Sequence, residues 1–364
     1  MKIIISFFLL LILLYLNGCT NSIDNKSKSP VTSLYALMGV LEWTEDEENV
    51  FYGKYEGELE NDKPNGNGKI TYPDGSNYNG RWYRGKRNGQ GTYISYDGEK
   101  YEGEWLSGKR NGHGTSTSSY GEKYIGEWKN DKRNGYGTSI SSEGEKYIGE
   151  WGNDLMNGYG IFSSEYGDNY NGEWTNGQRN GIGRSTSTDG SKYNGEWRKN
   201  QKNGEGTETY LVGAKYEGSW KNGNKHGQGI FIYPDGARYI GKWTNGERNG
   251  LGIVTFPSGN KYEGEFKNGR RNGYGTLTSN DGEIYVGKFK NGEIDGKGTY
   301  RWPDRREYVG EWKNGKKNGF GTYTLPDGKK FVGEFNSGKL LNANVYTKKG
   351  ILLGKFVDGI YTKK

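Results

Sequence analysis

The side chains that could do chemistry in this chain are few, and the intervals between them say more than their types. Cys19 is the one cysteine, so neither an intramolecular disulfide nor a multi-thiolate metal site is open to the chain. His113 and His226 are the two histidines. They fall in slots of a repeat five units apart, too far to share a metal ion, and read as surface turn residues. Residues 80–86, 103–109 and 310–316 imitate the Gly-x4-Gly-Lys start of a phosphate-binding loop. Such a loop needs Ser or Thr after the lysine to hold magnesium, and a following helix to aim its N-terminus at phosphate. Here Arg87, Arg110 and Lys317 follow without a helical pattern, so nucleotide binding is not expected. Carboxylates are abundant, yet Glu104, Glu127, Glu150, Glu173 and Glu196 recur at one constant interval. That reads as a solvated column rather than the acid–base pair of a glycosidase. No catalytic residue, metal ligand set or cofactor motif emerges, and a non-enzymatic protein is expected.

Two sets of positions differ between units and are candidates for recognition. The first is a run of basic pairs, Lys86-Arg87, Lys109-Arg110 and Lys132-Arg133, then Arg270-Arg271 and Lys316-Lys317. Aligned along one edge, these would form a ridge able to meet anionic lipid headgroups or acidic protein. The plainer reading, rim charge that keeps the array soluble, is favoured by the nearby glutamates and a net charge of only +7. The second set lies late in each unit. Ser116 to Ser118, Ser139 to Ser141 and Ser185 to Ser187 occupy it in the middle of the chain, whereas later units carry Phe231 with Tyr233, Phe256, and Tyr300 with Trp302. Those five aromatics are the candidate surface for a protein partner or a second copy, and tighter internal packing explains them equally well. No nucleic-acid partner is expected.

The elements that position these residues follow from one interval. An aromatic anchor recurs every 23 residues, from Tyr55 through Tyr78, Tyr101 and Tyr124 to Tyr308 and Phe331, thirteen times in all. A glycine stands two residues after each anchor and Trp, Phe or Leu four residues after. A fixed period of this length means a repeat array. Gly accounts for 64 residues and only 30% of the chain is hydrophobic, so each unit must bury its aromatics against its neighbours rather than in one central core. In Tyr101-Glu102-Gly103-Glu104-Trp105 the aromatics and glycine alternate with charge, the period of a half-buried strand. Gly103 leaves room for an aromatic from an adjacent strand, and Glu102 and Glu104 face water. Ser107 to Gly112 is turn chemistry, Gly114 opens a second strand, and Pro-Asp-Gly at 73–75, 234–236 and 326–328 returns the chain. The expected fold is all-β: an elongated single-sheet antiparallel β-meander solenoid of about thirteen hairpin repeats, twisted and curved, with the Tyr and Trp columns on its concave side.

The phrase Tyr-x-Gly-Glu-Trp followed by Asn-Gly-x-Gly resembles the MORN (membrane occupation and recognition nexus) repeat over residues 55–339. The resemblance implies an elongated β-array that serves as a scaffold, binding proteins or oligomerising; some members have been linked to phospholipid. It implies no reaction. Residues 3–16 form an apolar run of 14 residues behind Lys2, shorter than the roughly 20 a membrane-spanning helix needs and suited to a signal peptide. Leu16-Asn17-Gly18-Cys19 resembles the lipobox of bacterial lipoproteins, which implies diacylglycerol on Cys19 and cleavage before it; Asn17 departs from the small residue usual there. The expected organisation is a signal peptide at 1–18, the lipidated cysteine and a polar tether at 19–33, and an N-terminal cap at 34–54. The array follows at 55–339, with a degenerate unit and C-terminal cap at 340–364. Together these readings make an exported, lipid-anchored envelope scaffold. The rival is a carbohydrate- or peptidoglycan-binding module that stacks sugars on exposed Tyr and Trp.

Overall fold

Glycine, asparagine and aromatic residues at fixed spacing fold as the interval predicts. The computed structural model describes residues 42–46 and 49–364, with side chains from residue 53 onward. A hairpin of β1 (Glu42–Asp46) and β2 (Asn49–Tyr52) forms its own two-stranded sheet. From β3 (Lys54–Glu60) to β30 (Ile360–Lys363) every strand pairs antiparallel with its sequence neighbours, giving one open 28-strand meander. Residues 1–41, which hold Cys19 and the first part of the expected cap, lie outside the described residues.

Each of the first twelve units is a seven-residue strand and a nine-residue strand, as in β7 (Lys100–Leu106) and β8 (Lys109–Thr117). The turn between them is only Ser107-Gly108, with φ of 51° and 87°, the two-residue type I′ geometry whose twist matches flanking strands. The second strand therefore starts at Lys109, well before the Gly114 expected from sequence. The stretch 109–112 looked like turn chemistry because it contains a bulge. Gly103 pairs with Gly114 and Trp105 with Arg110, so Glu104 alone spans Asn111, Gly112 and His113. Gly112 takes φ of 67° to absorb the extra residues.

The bulge explains the glutamate column. Backbone N–H groups of His113, Tyr136, Tyr159 and Ile182 donate to Oε1 of Glu104, Glu127, Glu150 and Glu173 at 3.1, 2.9, 3.1 and 2.9 Å. These carboxylates are not merely solvated, as the sequence suggested; each clamps a donor that the disrupted ladder leaves over.

Two faces result from strand alternation. On the aromatic face each anchor tyrosine donates from its hydroxyl to the carbonyl three residues on, Tyr101 to Glu104 at 3.0 Å. Its ring lies across the glycine pair of its own hairpin, so a Cβ on Gly103 or Gly114 would come closer than 3.0 Å to that ring or the facing backbone. The room left by Gly103 is thus filled by the tyrosine of the same strand, not by an aromatic from a neighbour. Each tryptophan reaches back one unit, Trp105 Nε1 donating to the Gly91 carbonyl at 3.1 Å. Tyr78 sits edge-on between Trp82 and Trp105, with centroids 5.2 Å away on both sides, a geometry contributing about 0.5–1.5 kcal/mol per pair beyond area burial. Repeated down the sheet, this interleaving makes a continuous core in a single layer.

Candidate functional site

The six residues of the basic run do not share a face. Arg87, Arg110 and Arg133 pair across their hairpins with Trp82, Trp105 and Trp128 and lie on the aromatic face. Their guanidinium carbons stand 4.4, 4.3 and 4.2 Å from the rings of Trp105, Trp128 and Trp151, a cation–π stack of about 1 kcal/mol each. Arg110 and Arg133 also bond the next turn, through Asp131 and Asp154. Lys86, Lys109 and Lys132 point to the reverse face and are exposed, paired with Tyr83, Leu106 and Lys129. The lysines alone form a solvent-facing basic row, with exposed Tyr83 and Leu106 in it.

Of the five late aromatics, Phe231, Tyr233, Tyr300 and Trp302 are half-buried and pack on the core. Phe231 lies 4.6 Å from Tyr233 and 6.0 Å from Trp243, and Tyr300 lies 4.5 Å from Trp302 and 5.7 Å from Trp312. Phe256 is 43% exposed. Together they form a second, outward layer on the aromatic face, which units three to six lack except for Phe162, packed 6.4 Å from Trp174. The rings of the repeat itself are closed to a sugar, since anchor tyrosines and their tryptophans are 0–7% exposed among units one to twelve; the exposed rings are tyrosines at variable positions, such as Tyr83, Tyr96, Tyr120 and Tyr166.

Sequence reasoning missed Glu208. It occupies the slot that holds Phe231 in the next unit, is 7% exposed, and pairs with Lys202 on the aromatic face. Lys225 stands beside this pair, 4.5 Å from the Phe231 centroid and 5.0 Å from that of Trp243. Burial holds its ammonium below the ordinary lysine range, with Glu208 pulling the other way. The signal available was a lone charge in a column otherwise made of Ser, Tyr and apolar residues.

This arrangement is a repeat array with its recurring side chains turned inward. The chain belongs to the MORN repeat proteins: the MORN repeat model matches it in twelve segments from residue 55 to residue 330. The thirteenth hairpin, at Phe331, falls beyond the match. There Phe331 has no hydroxyl to bond, and Ala343 replaces the second glycine of the pair, so the ring is half-exposed. Among curated proteins none matches the chain. Among solved structures it is similar to the TCP domain of Drosophila melanogaster dCPAP in complex with a proline-rich motif, at 15% identity over 49% of this chain and 85% of that one, TM-score 0.26. It is also similar to virginiamycin B lyase from Staphylococcus aureus, at 17% identity over 85% and 89%, TM-score 0.13.

Proposed function

We propose that this protein is a non-enzymatic, lipid-anchored scaffold of a bacterial cell envelope that holds a protein partner along its MORN array. The observation behind this is the inward use of the repeat: Tyr, Trp and both glycines are consumed by packing, and the clamping glutamate spends one oxygen on the bulge. What each unit presents outward is its variable positions, the arrangement of a binding scaffold. The partner, or a second copy, takes the outward layer of Phe231, Tyr233, Phe256, Tyr300 and Trp302. Anionic headgroups are met by Lys86, Lys109 and Lys132, and the membrane is reached through acyl chains on Cys19. Each buried methylene contributes about 0.8 kcal/mol, so several chains give stable anchoring.

The anchor is tested by metabolic labelling. Radiolabelled palmitate should enter the wild-type chain, which should partition into detergent, and Cys19→Ser should lose both properties. Equal labelling of the variant would remove the anchor from this reading. Crosslinking in intact cells then identifies the partner.

A further inference from the structure

The serines of the middle units describe one face only. On the reverse face, units four to six (starting at Tyr124, Tyr147 and Tyr170) carry large apolar side chains in the open. Ile125, Tyr136, Tyr159, Ile161 and Ile182 are 45, 58, 54, 46 and 55% exposed. They are contiguous. Thr138 pairs with both Ile125 and Ile148, and Ile148 pairs with Ile161, which makes one row across the strands. In the parallel row Tyr136, Tyr159 and Ile182 alternate with Glu150, Glu173 and Glu196. The same slots in unit three hold Glu102, Thr115 and His113. Later units again expose Ile240, Leu251 and Tyr274 on this face, but there the glutamate slot holds Lys242 and Lys288, so what sets units four to six apart is the apolar rows combined with an unbroken glutamate row.

We propose that this patch is the docking site of an amphipathic helix with a basic flank, supplied by a protein partner. Three features select that occupant. The patch spans five interstrand steps of about 4.8 Å, about 24 Å in all, and its two rows lie about 7 Å apart. A helix of about 16 residues covers that length, and a stripe along its roughly 10 Å width covers both rows. The patch lies in the middle of the sheet, where no open edge exists for strand addition. Finally, among the described residues no Lys or Arg forms an ion pair with Glu127, Glu150, Glu173 or Glu196. Each uses one oxygen on a backbone N–H and leaves the other for a partner's cation. That row disfavours the other occupants. A second copy laid face to face sets glutamates against glutamates or against the isoleucine row, and an anionic bilayer meets like charge. The site is on the opposite face from the late aromatics and does not depend on them.

The test uses the full chain and a synthetic helical peptide of about 18 residues with Leu at heptad a and d positions flanked by Lys. An otherwise identical peptide carries Glu for Lys. Fluorescence anisotropy reads affinity, and circular dichroism at 222 nm reads helix gained against an all-β protein. The basic peptide should bind and gain helix, and the acidic one should bind at least about tenfold more weakly, about 1.4 kcal/mol. Ile148→Lys with Tyr159→Lys should weaken the basic peptide at least as much. Tyr159 is exposed and Ile148 half-buried on a face that no second layer covers, so the variant keeps its β spectrum, and Leu251→Lys on the same face of unit nine should leave binding unchanged. The proposal is overturned by no binding to wild type, by equal binding of both peptides, or by indifference to the double substitution. A wild-type dimer in sedimentation velocity that the double substitution dissolves would also overturn it, assigning the face to a second copy.

Discussion

Trp174 shows how one residue of the repeat is held. It is 6% exposed, lies edge-on to Tyr170 at 5.1 Å and to Tyr147 at 5.5 Å, and donates from Nε1 to the Gly160 carbonyl at 3.3 Å. Truncation to alanine removes a ring shared by two units and leaves a cavity that flanking strands cannot close. Trp174→Ala should therefore cost about 3–5 kcal/mol. Trp174→Phe should cost much less, about 1 kcal/mol for the lost hydrogen bond, because Phe266, Phe289 and Phe335 already fill this slot in other units. Chemical denaturation of both variants checks the difference, and an unchanged midpoint for Trp174→Ala would mean that the ring contributes nothing to packing. The anchor spacing and the Tyr–Trp alternation were legible in the sequence at this scale. The clamping role of Glu173 was not, since a carboxylate at a strand position facing water gives no sign that a bulge has left it a backbone donor.

At the level of the hairpin, the tyrosine hydroxyl is a titratable part of the fold. Burial pushes the hydroxyls of Tyr55, Tyr239, Tyr262 and Tyr308 up to about 12, with Glu58 adding to the rise at Tyr55; Tyr101, Tyr124 and Tyr170 are raised further. In the unfolded chain they titrate near 10. Below about pH 10 both states hold the proton and stability is independent of these groups. Above it the unfolded state releases protons that the folded state keeps, so stability falls as pH rises through about 12. The midpoint of guanidinium unfolding should accordingly be level from about pH 8 to 9.5 and drop steeply beyond about pH 10. A profile that stays level to about pH 11.5 would show that the hydroxyls ionise in place without loss of the hairpin. Strand existence was readable from alternation, but the start of the second strand was not: Lys-Arg-Asn-Gly has turn composition, and only its pairing with Trp and the next strand makes it a bulged ladder.

For the whole array, contacts run only between sequence neighbours, so a shortened array keeps the fold of what remains. A chain ending after unit seven should stay β-rich by circular dichroism yet lose the partner identified by crosslinking, because it lacks the late aromatic layer. Apolar area removed from water contributes about 25 cal/mol per Å², and the serines that replace those rings earlier in the chain supply little of it. A chain lacking units two to six should retain that partner. If the first chain binds as tightly as full length, the late aromatics serve internal packing alone.

The 23-residue period, by itself, determined the fold class, the antiparallel meander and the aromatic columns, because each unit repeats one local solution and needs only its neighbours to complete it; the burial of those columns and the pairing of two glycines under each tyrosine came from the strand register. Tertiary structure decided which face each variable residue occupies. Lys86 and Arg87 are adjacent in sequence and appeared as one basic ridge, yet strand alternation sends one to solvent and folds the other over Trp105. Ile125, Tyr136, Ile148, Tyr159, Ile161 and Ile182 are scattered over three repeats among polar residues, and only the register of six strands gathers them into one patch. A bulge in every hairpin shifts that register by more than the two-residue alternation shows, so the pairing had to be seen before the faces could be read.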